Sequence, residues 1–325
     1  MPPTSSNSWR SNLLVLTVTV VSMVLMRTRM TTAAHAASQI VESGKLFLVY
    51  GTAWKKEHTA HLVDMAVKSG FRFIDTACQP RHYNEPGVGE GWSGAASHLG
   101  LQRSDFFLQT KYTPFGGQDP DNCPYDPQSP IEDQVRISLE TSLRNLKTDY
   151  LDSWVMHSPF QEFEDTMKAW RTMETYVDAG KVKGLGMSNC YDPELFATLY
   201  DMAKHKPKVL QNRFYAASNF DTELRRFCKE KGIWYQSFWT LTANRDALAT
   251  TEVHELATSK NLNPQTLLFA FLLSLGYVTP LSGTTSATHM QHDVEVMERF
   301  QSGEVFFENE DELRVMARYL GMPDL

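Results

Sequence analysis

The sequence predicts an α/β protein whose fold is a (β/α)8 barrel, the TIM barrel, formed as a single domain by residues 45–325. Short apolar runs alternate with segments of helical period, which is the pattern of βαβ units on a parallel sheet. Eight such steps fit into the roughly 250 residues that a barrel of this kind needs. Polar residues also collect where the predicted strands end, and these barrels carry their chemistry on that face.

The eight predicted strands are short runs of apolar, β-branched and aromatic residues. They cover residues 46–50, 71–75, 105–110, 150–156, 182–187, 209–212, 233–238 and 277–281. Helices are predicted at residues 58–68, 131–146, 162–179, 193–204, 222–231, 252–260 and 264–275, with one more at 311–320 after the barrel. Residues 114–130 form a long loop rich in Gly, Pro and Asp, and loops of that length are usually functional or disordered.

Composition excludes several classes of partner. A net charge of −7 and the lack of any Lys/Arg run argue against nucleic acid or an acidic membrane surface. The four cysteines are widely spread, with no CxxC pair and no histidine at metal-ligand spacing, so we expect free thiols and no metal site. A barrel of this size buries enough surface to stand as a monomer.

Residues 1–40 differ from the rest, and we expect a targeting or signal-like leader that lies outside the fold. They contain no acidic residue, and residues 13–26 are a nearly unbroken apolar run. A secretory signal, an organelle transit peptide and a mis-assigned start codon all fit this pattern. An uncleaved membrane anchor is a weaker alternative, because a span wants roughly 20 apolar residues. Without a functional leader the protein is expected in the cytoplasm, and the mature domain is expected to have no membrane partner.

Four candidate catalytic residues lie at or just after successive predicted strands: Asp75, Tyr83, Lys111 and His157. Taken singly, each has an ordinary interpretation: a loop-capping aspartate, a loop aromatic, a solvated lysine and a satisfied core histidine. Because the carboxyl ends of barrel strands meet at one mouth, we expect all four to converge there.

The chemistry of this set is that of a tuned general acid. A phenol has an ordinary pKa of about 10, and a neighbouring ammonium is expected to lower the pKa of Tyr83. Asp75 would hold the ammonium of Lys111, and a neutral His157 would orient and polarise a carbonyl. The set lacks a nucleophile, a metal or a carboxylate pair, so protonation of a carbonyl oxygen during hydride delivery fits better than hydrolysis.

Several motifs in this order resemble the aldo-keto reductase family over residues 45–297. They are GTAW (51–54), FRFIDTA (71–77), YNEPGVGE (83–90), QTK (109–111), residues 151–159, GKVKGLGMSNC (180–190), LQN (210–212) and PLSGTTS (280–286). The resemblance implies an NAD(P)H-dependent enzyme that reduces an aldehyde or ketone. It makes Tyr83 the proton donor, assisted by Lys111 and Asp75, with His157 orienting the carbonyl.

The resemblance also implies where the cofactor and substrate bind. The matching cofactor positions are Ser188, Asn189, Gln211, Phe238, Ser282, Gly283, Thr284, Thr285 and His289. The first three would hold the nicotinamide carboxamide, Phe238 would stack on its ring, and residues 282–285 would bind phosphate. Trp54, Tyr112 and Trp239, with the loop at residues 114–130, would wall the substrate pocket.

Two departures from the family pattern matter. The interval between Asp75 and Tyr83 is a few residues longer than usual, so the extra residues 79–82 must fold outward. Leu281 and His289 stand where basic residues commonly hold the 2′-phosphate, although we still favour NADP(H) over NAD(H). A different class of function, a cofactor-binding sensor or regulatory subunit with little turnover, is the alternative.

Overall fold

The computed structural model describes Ala37, Ile40, Val41, residues 45–323 and Leu325. Its centre is a closed barrel of eight strands in sequence order, and every neighbouring pair is parallel. The predicted α/β barrel is therefore confirmed. The expected leader at residues 1–40 lies outside the described residues except at Ala37 and Ile40, which are buried in the hydrophobic core.

The strands are short, and both ends of each were predicted to within three residues. They are β1 Val49–Gly51, β2 Phe73–Asp75, β3 Phe107–Tyr112, β4 Ser153–Met156, β5 Leu185–Ser188, β6 Val209–Arg213, β7 Trp234–Phe238 and β8 Val278–Ser282. Because β3 continues through Lys111, that lysine belongs to the barrel wall instead of to the loop beyond it.

Helices surround the barrel. Numbered in chain order, they are α1 Thr59–Ser69, α2 Glu85–Leu99, α3 Ile131–Asn145, α4 Phe163–Asp178, α5 Pro193–Met202, α6 Thr222–Lys231, α7 Arg245–Leu248, α8 Thr251–Ser259, α9 Pro264–Ser274, α10 Ala287–Gln301 and α11 Glu310–Leu320. None of the helices in the described part of the chain is long and apolar enough to cross a membrane. The thiols of all four cysteines are free.

Helices α2, α7 and α10 were not predicted, and α2 occupies sequence that had been interpreted as loop. Four glycines in α2 mask its helical period. Close packing requires at least one of them, since a Cβ at Gly89 would collide with the carbonyl oxygen of Asn145 on α3. The Asn84 side chain caps the helix by accepting from the N–H of Gly87, which fixes where α2 begins.

Four aromatic rings close the amino-terminal end of the barrel, and we call them the aromatic layer: Phe47, Phe73, Phe107 and Trp234. Phe47 stacks on Phe73 with ring centroids 3.7 Å apart and meets the Trp234 ring edge-on at 4.9 Å. Phe107 lies 5.5 Å from Phe73. Successive inward positions on a strand are two residues apart, so the next inward positions on these strands face the opposite end of the barrel.

Candidate active site

A cavity of about 860 Å³ opens at the carboxyl-terminal end of the barrel. Asp75, Tyr83 and His157 line it. Lys111 lies beneath its floor and is fully buried. The structure thus brings the four predicted catalytic residues to one place, as expected from the convergence of barrel strands.

A buried ion pair forms the base of the site. The Lys111 ammonium donates to Oδ2 of Asp75 at 2.6 Å and to the carbonyl of Thr76 at 2.8 Å. Burial lowers the pKa of Lys111, and the charge of Asp75 opposes that shift. These two bonds use two of the three ammonium donors, and the lysine nitrogen lies 5.2 Å from the centre of the Tyr83 ring.

Three glutamines surround the other oxygen of Asp75, and with it they form what we call the polar layer: Asp75, Gln109, Gln211 and Gln236. Oδ1 of Asp75 accepts from Nε2 of Gln109 at 2.7 Å and from Nε2 of Gln211 at 3.1 Å. Oε1 of Gln236 accepts from the same two amides at 2.7 Å and 2.9 Å. This network fixes the orientation of the carboxylate that holds Lys111. No sequence pattern indicated a role for the side chains of Gln109 or Gln236.

The two residues that follow Tyr83 anchor this part of the chain to neighbouring elements. The Asn84 amide donates to the carbonyl of Lys56 at 3.1 Å, on the β1–α1 connection. The buried Glu85 carboxylate accepts from Thr110 at 2.5 Å, and also from two residues of α3. These bonds fix the backbone directly after Tyr83.

The pKa of Tyr83 is raised, which corrects the expectation that Lys111 would lower it. Burial is the largest cause, and the charge of Asp75 adds to it. The reason is that Lys111 is neutralised by its own ion pair with Asp75, so the phenol experiences little net positive charge. Tyr83 therefore keeps its proton throughout the neutral range.

His157 is neutral, as predicted. Burial lowers its pKa well below the usual value, and the charges of Lys111 and His82 lower it further. Its Nδ1 lies 2.7 Å from the hydroxyl of Thr113, and its ring centre lies 5.9 Å from that of Tyr83. A phenol and a neutral imidazole thus share one wall of the cavity.

Seven of the nine predicted cofactor positions line the cavity: Ser188, Asn189, Gln211, Phe238, Gly283, Thr284 and His289. The Asn189 amide donates to the carbonyl of His157 at 2.9 Å, which ties this group to the catalytic wall. The cavity volume falls within the range of cofactor sites, and carbonyl, amide and hydroxyl groups recur along it, so a dinucleotide fits these residues.

The other two predicted cofactor positions do not line the cavity. Ser282 is buried and donates to Oδ2 of Asp293 at 2.6 Å, while Thr285 is exposed and does not line the cavity. Burial raises the pKa of Asp293 to about 6. Lys55, which sequence reasoning missed, donates to the carbonyl of Gly283 at 2.8 Å, and burial lowers its pKa to about 8.

Of the predicted substrate walls, Trp54 and Trp239 line the cavity and Tyr112 does not. Side chains alternate along a strand, so the inward turn of Lys111 sends Tyr112 to the outer side of β3. There it is fully buried, with its hydroxyl 3.4 Å from Gln134 of α3. Residues 114–130 contribute only Gly117 to the cavity lining.

The extra residues before Tyr83 fold outward only in part. Pro80 and Arg81 are exposed, whereas Gln79 and His82 line the cavity. The His82 ring lies 4.0 Å from the ring of Trp54, centre to centre. The long interval marked this segment in the sequence, but its length alone did not reveal which of its side chains turn inward.

The comparisons agree with this geometry. The profile described as the Aldo/keto reductase family matches residues 46–308. Glyoxal reductase of Bacillus subtilis (strain 168) is 29% identical over 218 residues, which cover 67% of this chain and 70% of that protein. NAD(P)H-dependent D-xylose reductase of Pachysolen tannophilus is 30% identical over 236 residues, covering 62% and 68%.

Solved structures give the same fold. Aldose reductase from Schistosoma japonicum superimposes with a TM-score of 0.67 at 24% identity, over 83% of this chain and 87% of that one. An aldo/keto reductase from Brucella melitensis gives 0.68 at 22% identity, over 84% and 94%. With a family match over most of its length, this chain belongs to the aldo/keto reductase family of NAD(P)H-dependent oxidoreductases.

Proposed function

We propose that this protein reduces an aldehyde or ketone to an alcohol and that Tyr83 supplies the proton. The observation that carries the proposal is the placement of Tyr83 and His157 on one cavity wall, above the buried Asp75–Lys111 pair. A single general acid beside a neutral hydrogen-bonding group suits a carbonyl oxygen.

In the proposed complex, NAD(P)H supplies the hydride. Asn189 and Gln211 hold the nicotinamide carboxamide, and Phe238 packs against the ring. Gly283 and Thr284 contact phosphate with small groups and backbone N–H donors. Support for this arrangement is that all of these residues line the same cavity as Tyr83.

The proton step follows from the protonation states of the two groups. His157 is neutral and holds the substrate oxygen near the phenol, since burial keeps its pKa well below the usual value. As hydride reaches the carbonyl carbon, the oxygen becomes a far stronger base than a phenolate. The O–H bond of Tyr83 then breaks and a new O–H bond forms on the product. Solvent then returns a proton to the phenolate.

We further propose that NADPH binds more tightly than NADH. The supporting groups at the β8 end are two imidazoles, His289 and His292, with ring centres 6.5 Å apart. Imidazole N–H groups can donate to the oxygens of a 2′-phosphate, so these two side chains favour NADPH over NADH. Equal dissociation constants for the two cofactors would contradict this proposal.

The test pairs a binding measurement with a turnover assay. For each cofactor, NADPH or NADH, fluorescence titration should give a dissociation constant for Tyr83→Phe that equals the constant for wild type. Reduction of a simple aldehyde by the variant should be slower by about 10²-fold to 10⁴-fold, because only the proton donor is lost.

Two outcomes would contradict the proposed function. Unchanged turnover in Tyr83→Phe would exclude Tyr83 as the acid. Tight cofactor binding without turnover of any carbonyl by the wild type would favour a cofactor-binding sensor. We propose a monomer as the active form, and sedimentation of the active protein checks that.

A further inference from the structure

Arg213 ends β6 at the cavity and has no role in the proposed reaction. It is the last residue of the β6–β7 ladder, where it pairs with Phe238. Its guanidinium carbon lies 4.1 Å from the centre of the Trp239 ring and 5.9 Å from that of Phe238. Two aromatic rings therefore hold the guanidinium at the cavity wall.

This guanidinium has no anionic partner in the part of the chain that the structure describes. No carboxylate within the described residues comes within 4.0 Å of it, and its Nε is buried without a hydrogen-bond partner there. The nearby buried acid Asp221 is occupied by Asn212 at 2.7 Å and by the Tyr235 hydroxyl at 3.0 Å. Among the described residues that line the cavity, Arg213 is also the only lysine or arginine.

A solvated surface arginine would look different. Such a side chain samples many rotamers, whereas this one is held against Trp239, whose backbone is in the left-handed region with φ 56. Left-handed backbone is costly for a bulky residue, so the Trp239 ring has a specific placement to maintain. Stacking covers a face of the guanidinium and leaves the N–H edge for a ligand, and that planar edge matches two oxygens of a carboxylate or phosphate.

We propose that Arg213 binds an anionic oxygen group of a ligand that lies in the cavity. Two sources carry this chemistry, namely the diphosphate of the dinucleotide and a carboxylate on the carbonyl substrate. The identity of those ligands rests on the proposed function, whereas the anion-binding position itself rests on the unpaired, stacked guanidinium.

Three variants separate the possibilities. Arg213→Met removes the charge and keeps an apolar stem against Trp239, and Arg213→Lys keeps the charge but loses the planar fork. Arg226→Met makes the same change on the exposed side of α6 and is the matched control. The melting temperature without ligand reports whether each variant folds.

The readouts include two that need no turnover. The first is the thermal shift produced by inorganic pyrophosphate, and the second is fluorescence titration with NADPH. The third is kcat/KM for 4-carboxybenzaldehyde against 4-methylbenzaldehyde, which tests a carboxylate at constant ring size.

If the diphosphate is the ligand, Arg213→Met weakens NADPH binding by about tenfold or more and abolishes the pyrophosphate shift. If the substrate carboxylate is the ligand, cofactor binding is unchanged and the preference for 4-carboxybenzaldehyde falls by a similar factor. Arg213→Lys lies between wild type and Arg213→Met in either case.

Values for Arg213→Met that equal those of Arg226→Met in all three readouts would overturn the inference while the reductase activity stands. A different outcome would reject the proposed reaction and support the anion site. In that outcome the wild type turns over no carbonyl, pyrophosphate still raises its melting temperature, and only Arg213→Met loses this thermal shift.

Discussion

The two ends of the barrel interior are built on the same strands and have opposite chemistry. On β2, β3 and β7, the aromatic layer contributes Phe73, Phe107 and Trp234. Two residues further along, the same strands contribute Asp75, Gln109 and Gln236 to the polar layer. The apolar aromatic layer and the hydrogen-bonded polar layer are thus only two residues apart along each of these strands.

This contrast indicates where stability and where function reside. The fully buried rings of the aromatic layer stabilise the fold in two ways: their apolar surface is removed from water, and they pack against one another. The polar layer is costlier, since Oε1 of Gln109 and Nε2 of Gln236 are buried without a hydrogen-bond partner among the described residues. Because the barrel keeps these unpaired glutamine atoms in its interior despite their cost, we infer that the polar layer serves to hold the carboxylate of Asp75.

The largest effect is expected from breaking the ion pair in the polar layer. Lys111→Met leaves the buried charge of Asp75 unpaired, which should lower the free energy of unfolding by about 3–5 kcal/mol and abolish turnover. Denaturant unfolding measures the loss. The double variant Lys111→Met with Asp75→Asn should recover part of the stability and none of the activity. Wild-type stability in the single variant Lys111→Met would contradict the burial of this ion pair away from water.

A change of similar size in the aromatic layer should spare the chemistry. Phe47→Ala removes the ring that contacts all three other members of the layer, so the free energy of unfolding should fall by about 3–5 kcal/mol. Turnover per folded molecule, measured at low temperature, should stay near that of wild type. A large loss of kcat there would show that the two layers are mechanically coupled.

A smaller effect separates the glutamines from one another. Gln109→Met removes a donor to Asp75 and should cost about 1–3 kcal/mol of stability together with a fall in kcat. Gln236→Met is the control, since within the described residues the Gln236 side chain bonds to the other two glutamines and not to Asp75. Equal kcat values in the two variants would deny that contact with Asp75 is what matters.

The smallest effect concerns Asp293, a buried carboxylate with a serine hydroxyl in place of an ammonium partner. Its pKa is raised to about 6 by burial, so its contribution to stability is lost as pH rises from about 4 to about 6. Asp293→Asn should match wild type near pH 4 and be more stable by about 1–2 kcal/mol at pH 7. Thermal unfolding at both pH values measures this, with Asp311→Asn as the exposed control.

Sequence reasoning reached the barrel and the convergence of Asp75, Lys111 and His157 because alternation and strand ends are local signals. It failed to predict whether particular side chains face the cavity or point away from it. Tyr112 follows an inward lysine and so must face outward, and this follows only once the register of β3 is known. His82 turns inward through its packing on Trp54, which no local pattern encodes.

The effect of neighbouring charges on the pKa of Tyr83 also could not be predicted from the sequence. The charge pairing of Lys111 with Asp75 was predicted, but its consequence for Tyr83 depends on burial and on distances. Arg213 was also missed, since β6 was expected to end at the residue before it. Only the fold shows that its guanidinium lies at the cavity with no carboxylate of the described residues beside it.

The most direct test of the account is the dependence of kcat on pH at saturating aldehyde and cofactor, from about pH 5 to about pH 9. We expect a flat profile, because Tyr83 stays protonated and His157 stays neutral across that range. A rate that falls as pH rises through about 6.5, and that survives in Tyr83→Phe, would contradict it, since an imidazolium at His157 would then be the proton donor.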